Sequence, residues 1–142
     1  MNRIARCLAP IAMVAALATL ASCGVKEGFK DAEAQVARFH ATLDAGKSAE
    51  IWSTGDAQLR QSASREQFIG LLDAVHRKLG KVKESKQVGW NANATTGGTF
   101  FTVTMDTAFE RGNGTEEFVF KKTDQRVALA GYQIDSREMM LN

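Results

Sequence analysis

The chain has 142 residues and nearly balanced charge, with 18 lysines and arginines against 16 aspartates and glutamates. This length suits one domain, and a net charge of only +2 disfavours wholesale nucleic-acid binding, which requires a strong basic excess. Cys7 and Cys23 are the only two cysteines.

The N-terminal segment has the three parts of an export signal in the required order. They are the basic residues Arg3 and Arg6, an uncharged apolar run from Leu8 to Leu20, and the small residues Ala21 and Ser22. The run of about 14 apolar residues is shorter than the roughly 20 that cross the hydrocarbon of a bilayer. We therefore predict an export signal and no permanent transmembrane helix.

The end of this segment is more specific. Leu20-Ala21-Ser22-Cys23 resembles the lipobox of bacterial lipoproteins. The resemblance implies that residues 1–22 are removed and that Cys23 carries acyl chains on its sulfur and on its freed amine, which anchor the protein to a membrane. Gly24, where a retaining aspartate would otherwise stand, implies the periplasmic face of the outer membrane. The alternative is an ordinary secretory signal with an incidental cysteine.

Loss of this signal changes the chain that remains. Cys7 leaves with the signal and Cys23 is consumed by lipid, so no thiol is left for a disulfide or a metal. Removal of Arg3 and Arg6 also leaves equal numbers of basic and acidic residues. We predict a lipid-anchored tether over residues 23–30 and a single domain over residues 31–142.

The first half of the domain has helical periodicity. From about Asp31, a first helix places Val36, Phe39 and Leu43 on one face, with Ala32 and His40 beside them, and ends near Gly46. A second helix starts at Ser48, contains Gly55, and buries Ile51, Trp52 and Leu59. A third begins with a Ser64…Gln67 capping box, buries Phe68, Leu71, Leu72, Val75 and Leu79, and ends at Gly80.

After Lys81 the hydrophobic period changes to 2, which predicts four antiparallel strands. They are residues 82–91, with Val82, Val88 and Trp90 on one face, then 99–110, 117–122 and 126–135. The second strand places Phe101, Val103, Met105, Thr107 and Phe109 on one face and Phe100, Thr102, Thr104, Asp106 and Ala108 on the other. Residues 111–114 and 123–125 are predicted turns, and Gly131 marks a β-bulge that bends the last strand.

The expected fold class is therefore α+β, with three N-terminal helices packed on a curved four-stranded antiparallel sheet. This order of elements resembles the cystatin-like/nuclear-transport-factor-2-like cone fold. The ending Val127-Ala128-Leu129-Ala130-Gly131-Tyr132-Gln133-Ile134, with Trp52 and the helix from Phe68 to Gly80 upstream, resembles an uncharacterised family of bacterial lipoprotein and periplasmic domains. In that family a tryptophan stands where this chain has Val127. The resemblance implies a fold and no activity.

Few residues are candidates for chemistry. His40 and Asp44, one helical turn apart, form a conceivable two-ligand metal site, but a core-edge histidine beside a solvated aspartate is the simpler interpretation. His76 is expected to face solvent. No G-x-S-x-G motif is present, and Gly112-Asn113-Gly114 lacks the setting of a phosphate-binding loop. We predict no catalytic, cofactor-binding or metal-binding residue, and only Cys23 as a modified site.

Enzymes of the ketosteroid isomerase and dehydratase type hold an aspartate or a histidine inside the cone as a general base. Asp106 and His40 are the candidates by residue type, but burial of the apolar face of the second strand would place Asp106 outside. The basic residues Arg77, Lys78, Lys81, Lys83 and Lys86 are read as a solvated edge in preference to a binding stripe for anionic headgroups. The preferred interpretation is a non-catalytic binding or accessory module with a partner in the cell envelope. The alternative is a small-molecule-binding or isomerase-like enzyme.

Overall fold

The computed structural model describes residues 18–124 and 126–141, with side chains for residues 24–124 and 126–141. The helices of this described part are α1 (Ala18–Asp44), α2 (Ser48–Thr54), α3 (Ala57–Ser62), α4 (Arg65–Leu79) and α5 (Arg137–Met140). The strands are β1 (Val82–Thr95), β2 (Gly98–Phe109), β3 (Gly112–Thr123) and β4 (Arg126–Asp135). The expected α+β class is confirmed, but four helices precede the sheet instead of three, and a short fifth follows it.

The first helix is longer than its periodicity predicted. The helix was expected from about Asp31, after a tether over residues 23–30, but residues 24–30 are helical and continuous with the rest of α1. Phe29 contacts Trp90, with ring centroids 5.0 Å apart. The polar composition of residues 24–30 concealed this packing. The helix ends as predicted, at Gly46, whose φ of 71° favours glycine.

The second predicted helix is two helices. Gly55 takes an extended conformation (φ −66°, ψ 166°) and ends α2, so a single helix through Gly55 is wrong. Asp56 then caps α3, because its side chain accepts a hydrogen bond from the backbone N–H of Gln58. The backbone N–H of Asp56 also donates to the Leu129 carbonyl at 2.7 Å, which holds the break against β4.

The capping box predicted for α4 is confirmed. The Ser64 hydroxyl accepts from the Gln67 backbone N–H, and the Gln67 side chain accepts from the Ser64 backbone N–H, both at 3.2 Å. Gly80 ends the helix with a φ of 79°.

The four strands form one antiparallel sheet in the order β1-β2-β3-β4. Its inner face, which the helices cover, carries Phe101, Val103 and Phe109 of β2, as predicted. The predicted bulge in β4 is confirmed, since Val119 pairs with Gly131 while Phe120 pairs with Leu129, which leaves Ala130 as the extra residue.

Two predictions about the sheet are wrong in detail. Trp90 pairs with Val103 and shares its inner face, but the register shifts between Gln87 and Gly89, so Val88 falls at a bulge and does not continue the face. The turn expected at residues 111–114 lies one residue earlier, because Phe109 pairs with Gly112, and residues 112–114 belong to β3.

The core lies between the helices and the inner face of the sheet. Its buried apolar residues are Ala32, Val36, Phe39, Leu43, Ile51, Leu59, Phe68, Leu72, Val75, Leu79, Phe101, Val103, Phe109, Phe118, Phe120 and Leu129. Helices α1 and α4 contribute four of these residues each, and α2 contributes one, all at positions that the helical periodicity predicted. Helix α3 contributes Leu59.

Candidate functional site

A fully buried carboxylate is the most unusual feature of the core. Glu116 has 0% relative exposure and lies on the inner face of β3, in line with Phe118 and Phe120. Residues at i, i+2 and i+4 of a strand share a face, so the same alternation that buries two phenylalanines buries this glutamate. A buried carboxylate requires hydrogen-bond partners to offset its lost hydration.

Three side chains supply those partners. His40 Nε2 lies 2.7 Å and Thr107 Oγ1 2.6 Å from Glu116 Oε2, and the Tyr132 hydroxyl donates to Oε1 at 2.8 Å. An ionised carboxylate only accepts hydrogen bonds, so with Glu116 ionised the Nε2 atom of His40 carries the donated hydrogen. We call these four residues the Glu116 cluster.

A third hydroxyl, that of Ser85, extends the Glu116 cluster to the edge of the sheet. Ser85 Oγ lies 2.8 Å from Thr107 Oγ1. Because the single hydroxyl hydrogen of Thr107 is donated to Glu116, Ser85 is the donor in this contact. The polar chain therefore joins α1 to β1, β2, β3 and β4 through side chains alone.

Aromatic rings surround the polar chain. The Phe39 ring centroid is 4.8 Å from that of Tyr132 and 5.0 Å from that of Phe118, and His40 lies 5.6 Å from Phe118. In such surroundings hydrogen bonds to a charged group are stronger than in water, and an unpaired charge costs more. Loss of any one of its three hydrogen bonds would therefore destabilise the buried Glu116 carboxylate.

These surroundings shift the pKa of the Tyr132 phenol. Burial of its phenol, and secondly the nearby Glu116 carboxylate that accepts its hydrogen bond, raises the pKa of Tyr132 well above the ordinary value of 10.0. The phenol is therefore held as a neutral hydrogen-bond donor.

Access to the Glu116 cluster is limited. Five surface grooves of the described part of the chain are lined by other residues, apart from Thr107 and Tyr132, which each line one of them. The groove at Tyr132 has a volume of about 280 Å³ and is lined by residues of α3 and α4 on one side and of β3 and β4 on the other. None of the five includes His40 or Glu116, so the ionisable pair is not exposed in these grooves.

The two candidate bases of the sequence analysis are on opposite sides of the sheet. Asp106 is exposed on the outer face, as its strand pattern predicted, and accepts a 2.9 Å hydrogen bond from Thr115. His40 is inside, with 7% exposure. The structure therefore joins His40 to Glu116, an acid that the sequence analysis did not consider.

The hypothetical metal pair is not formed. His40 points to Glu116, whereas Asp44 Oδ1 accepts a hydrogen bond from the backbone N–H of Val82 at 3.1 Å. In the described residues, no group of three or more His, Cys, Asp and Glu side chains is arranged to hold a metal ion. The simpler interpretation of Asp44 also needs revision, since this residue ties the end of α1 to the start of β1.

Two other expectations concern the surface. His76 was expected to face solvent, but it is half-buried, and its Nδ1 is a buried atom without a hydrogen-bond partner. The ring lies at the border of α4, as expected, but its Nδ1 is turned away from solvent. Lys81, Lys83 and Lys86 are exposed along β1, which is an edge strand, in agreement with their interpretation as a solvated edge.

Glu116 was missed because the third strand was predicted to begin at Glu117. A usable signal was present: Glu116, Phe118 and Phe120 alternate with Glu117, Val119 and Lys121. Extension of the strand by one residue places Glu116 on the phenylalanine face. A glutamate on that face requires a buried partner, and His40 was already placed beside the apolar stripe of α1.

The lipidation site and the predicted signal lie largely outside the described side chains. Of the predicted signal, only residues 18–22 are described, as helical backbone, and the side chain of Cys23 is not described. Among the described residues, no helix is both long enough and apolar enough to cross a membrane.

Fold and site together define a small α+β domain built around a buried, hydrogen-bonded acid. Residues 35–132 match the family model described as Protein of unknown function (DUF4019), which covers more than half of the chain. The chain belongs to this family. The match includes all four residues of the Glu116 cluster and begins after Cys23. No curated protein and no solved structure matches the chain.

Proposed function

We propose that this protein is a lipid-anchored component of the bacterial cell envelope that acts as a non-catalytic binding or accessory module. The observation that carries the non-catalytic part is the complete burial of Glu116, whose carboxylate is already engaged by three side chains. A general base needs a lone pair within reach of a substrate proton. The hydrogen bonds of the Glu116 cluster instead connect α1 to the sheet, which is the role of a structural element.

The anchored part of the proposal comes from the N-terminal sequence. The likeness of residues 20–23 to a lipobox supports cleavage before Cys23 and acylation of that residue. Several acyl chains bind a bilayer far more firmly than one, because each buried methylene contributes about 0.8 kcal/mol. Gly24 supports location on the periplasmic face of the outer membrane.

We further infer that the sheet and its helices form the cone of the cystatin-like/nuclear-transport-factor-2-like fold. The bulges after Gln87 in β1 and at Ala130 in β4 support this inference, because bulges bend and twist strands. Large phenylalanines, Phe101, Phe118 and Phe120, fill the inner face. A filled interior favours a binding role for the outer surface over catalysis inside.

The proposal is tested in the native host by fractionation and proximity labelling. The wild-type protein is expected in the membrane fraction, and Cys23→Ala is expected to leave it. A labelling enzyme fused to the C-terminus should then mark a small set of envelope proteins reproducibly. Labels that match those of an unrelated anchored domain would contradict the accessory role.

One observation favours the alternative of a small-molecule-binding or isomerase-like enzyme. His40 and Glu116 form a hydrogen-bonded pair inside the fold, with a neutral phenol beside them, and such groups serve as acids and bases in enclosed sites. For this role the interior must open to a ligand.

Nuclear magnetic resonance separates the two functions. The chain has two histidines, so the ring signals of His40 and His76 are readily assigned. Apolar fragments that shift the His40 and Tyr132 ring signals but not those of His76 would support a ligand site in the interior. Unchanged His40 and Tyr132 signals across the library support the non-catalytic module.

A further inference from the structure

An aromatic pair of one exposed and one half-buried ring lies near the start of α1. Trp90 of the edge strand β1 is 56% exposed although it lies on the inner face of the sheet. Its ring contacts that of Phe29 at 5.0 Å, and Val25, one helical turn before Phe29, is 37% exposed. We call Val25, Phe29 and Trp90 the edge patch.

Helix α1, which carries Val25 and Phe29 of the edge patch, is packed closely against the sheet. A side chain at Gly28 would collide with the Phe101 ring, so the backbone of α1 lies directly on β2 at this point. Gly24 and Val25 line a groove with the β1–β2 turn, at Thr95 to Gly98. Residues 24–28 of α1 are therefore packed against the folded domain and do not form a flexible linker.

The position of Cys23 then determines what lies close to the edge patch. Cys23 precedes Gly24 without a break in the helix. Phe29 is six positions after Cys23, a distance of about 9 Å at the rise of an α-helix. Acyl chains on Cys23 would thus hold the bilayer surface within reach of all three side chains.

We propose that the edge patch docks on the interfacial region of the phospholipid bilayer and orients the domain on the membrane. This inference rests on the proposed acylation of Cys23. Tryptophan prefers the membrane–water interface, where its ring meets lipid and its N–H meets water or headgroups. The β1 edge lies on the membrane side, and the β2–β3 turn and α5 point away from it.

A second copy of the chain is a poorer occupant. Stable protein interfaces bury about 800 Å² on each partner, and three side chains, one of them half-buried, offer much less. The charges next to the edge patch do not favour a protein partner of either sign. In α1, the basic residues Lys26 and Lys30 are each followed by an acidic residue, Glu27 and Asp31. The bilayer needs no large area, since the acyl chains supply the affinity.

The experiment uses the acylated protein reconstituted into phosphatidylethanolamine–phosphatidylglycerol vesicles. Trp52→Phe leaves Trp90 as the single tryptophan, because the chain has two. The matched control is Met140→Trp in a chain that also has Trp52→Phe and Trp90→Phe. Met140 is 74% exposed and lies in α5, beside the opposite end of the sheet.

Lipids brominated near the headgroup quench tryptophan that touches the membrane interface. We expect Trp90 fluorescence to fall about twofold in brominated vesicles and the tryptophan at position 140 to stay unchanged, because interfacial rings lie at the depth of these bromines. Equal quenching at both positions, or none at Trp90, would overturn docking by the edge patch. A Trp90 that is shielded only at high protein density, without quenching, would assign the edge patch to a second copy and also overturn it.

Intact mass of the same samples keeps the two proposals separate. Acyl mass on Cys23 with an unquenched Trp90 removes the docking inference and leaves the anchor. Absence of acyl mass removes the anchor, and the docking inference falls with it.

Discussion

Glu116 of β3 and His40 of α1, 76 residues apart in the chain, are joined by a 2.7 Å contact between Oε2 and Nε2. This contact sets which turn of α1 faces which residue of the sheet, because His40 belongs to the same helix face as Val36, Phe39 and Leu43. A helix that slid or rotated on the sheet would leave a buried carboxylate without its donor. The contact between His40 and Glu116 therefore favours one position of α1 on the sheet.

Neutralisation of Glu116 should destabilise the fold. In Glu116→Gln the side chain keeps one acceptor oxygen and gains an NH₂ group that accepts no hydrogen bond, so the donors now at Oε1 and Oε2 cannot all be accepted. We expect a loss of about 1–3 kcal/mol in the free energy of unfolding, measured by urea denaturation. Glu117→Gln is the control, since Glu117 contacts Gln133 on the exposed side of the sheet and should change stability by less than about 0.5 kcal/mol. Equal stabilities of the two variants would show that the Glu116 cluster contributes little.

Tyr132 is the only tyrosine, so its ionisation can be followed directly by the ultraviolet absorbance of phenolate. Because burial and then the Glu116 carboxylate raise its pKa above 10.0, the native protein should titrate at higher pH than free tyrosine. Above about pH 10 the unfolded chain releases this proton while the folded chain keeps it, so stability should fall as pH rises from there toward the folded pKa.

Tyr132→Phe is the control for this pH dependence. It keeps the ring contacts with Phe39 and Phe118 and removes the titrating hydroxyl. The variant should lose the stability decrease that Tyr132 causes above pH 10, and at neutral pH it should be less stable by about 1 kcal/mol because Glu116 loses a donor. Titration of Tyr132 at the ordinary tyrosine pKa would contradict the buried hydrogen bond.

Two glycines in helices should respond in opposite directions to alanine. A Cβ at Gly28 meets the Phe101 ring, whereas a Cβ at Gly70 of α4 has no neighbour within 4 Å. Gly70→Ala should stabilise the protein by about 0.5–1 kcal/mol through helix propensity. Gly28→Ala should destabilise it by about 1–3 kcal/mol, because the collision forces α1 away from β2. A gain of stability at Gly28 in thermal unfolding would show that α1 does not pack there.

The elements with strong local signals were predictable from the sequence. The Ser64…Gln67 capping box located α4, and the two-residue period of Phe101, Val103 and Met105 gave both the strand and its buried face. These features depend on neighbours in sequence. The break at Gly55 was visible as a glycine, but its consequence depends on Asp56, which caps a new helix and bonds to Leu129 of a distant strand.

The Glu116 cluster was not predictable in the same way. Its four members come from α1, β2, β3 and β4, and each has a bland local interpretation. Only the register that brings Thr107 and Tyr132 to the same carboxylate gives them a common role. Residues 24–30 were misjudged for a related reason, since Phe29 packs on Trp90, which lies more than fifty residues later.

We propose that the mature protein begins at an acylated Cys23, and both the membrane anchor and the docking of the edge patch depend on this modification. Intact mass spectrometry of the protein extracted from native membranes tests it most directly. We expect a mass that lacks residues 1–22 and includes acyl chains at Cys23, and Cys23→Ala should abolish both changes. A protein that retains Met1, or that begins elsewhere with an unmodified Cys23, would contradict the claim.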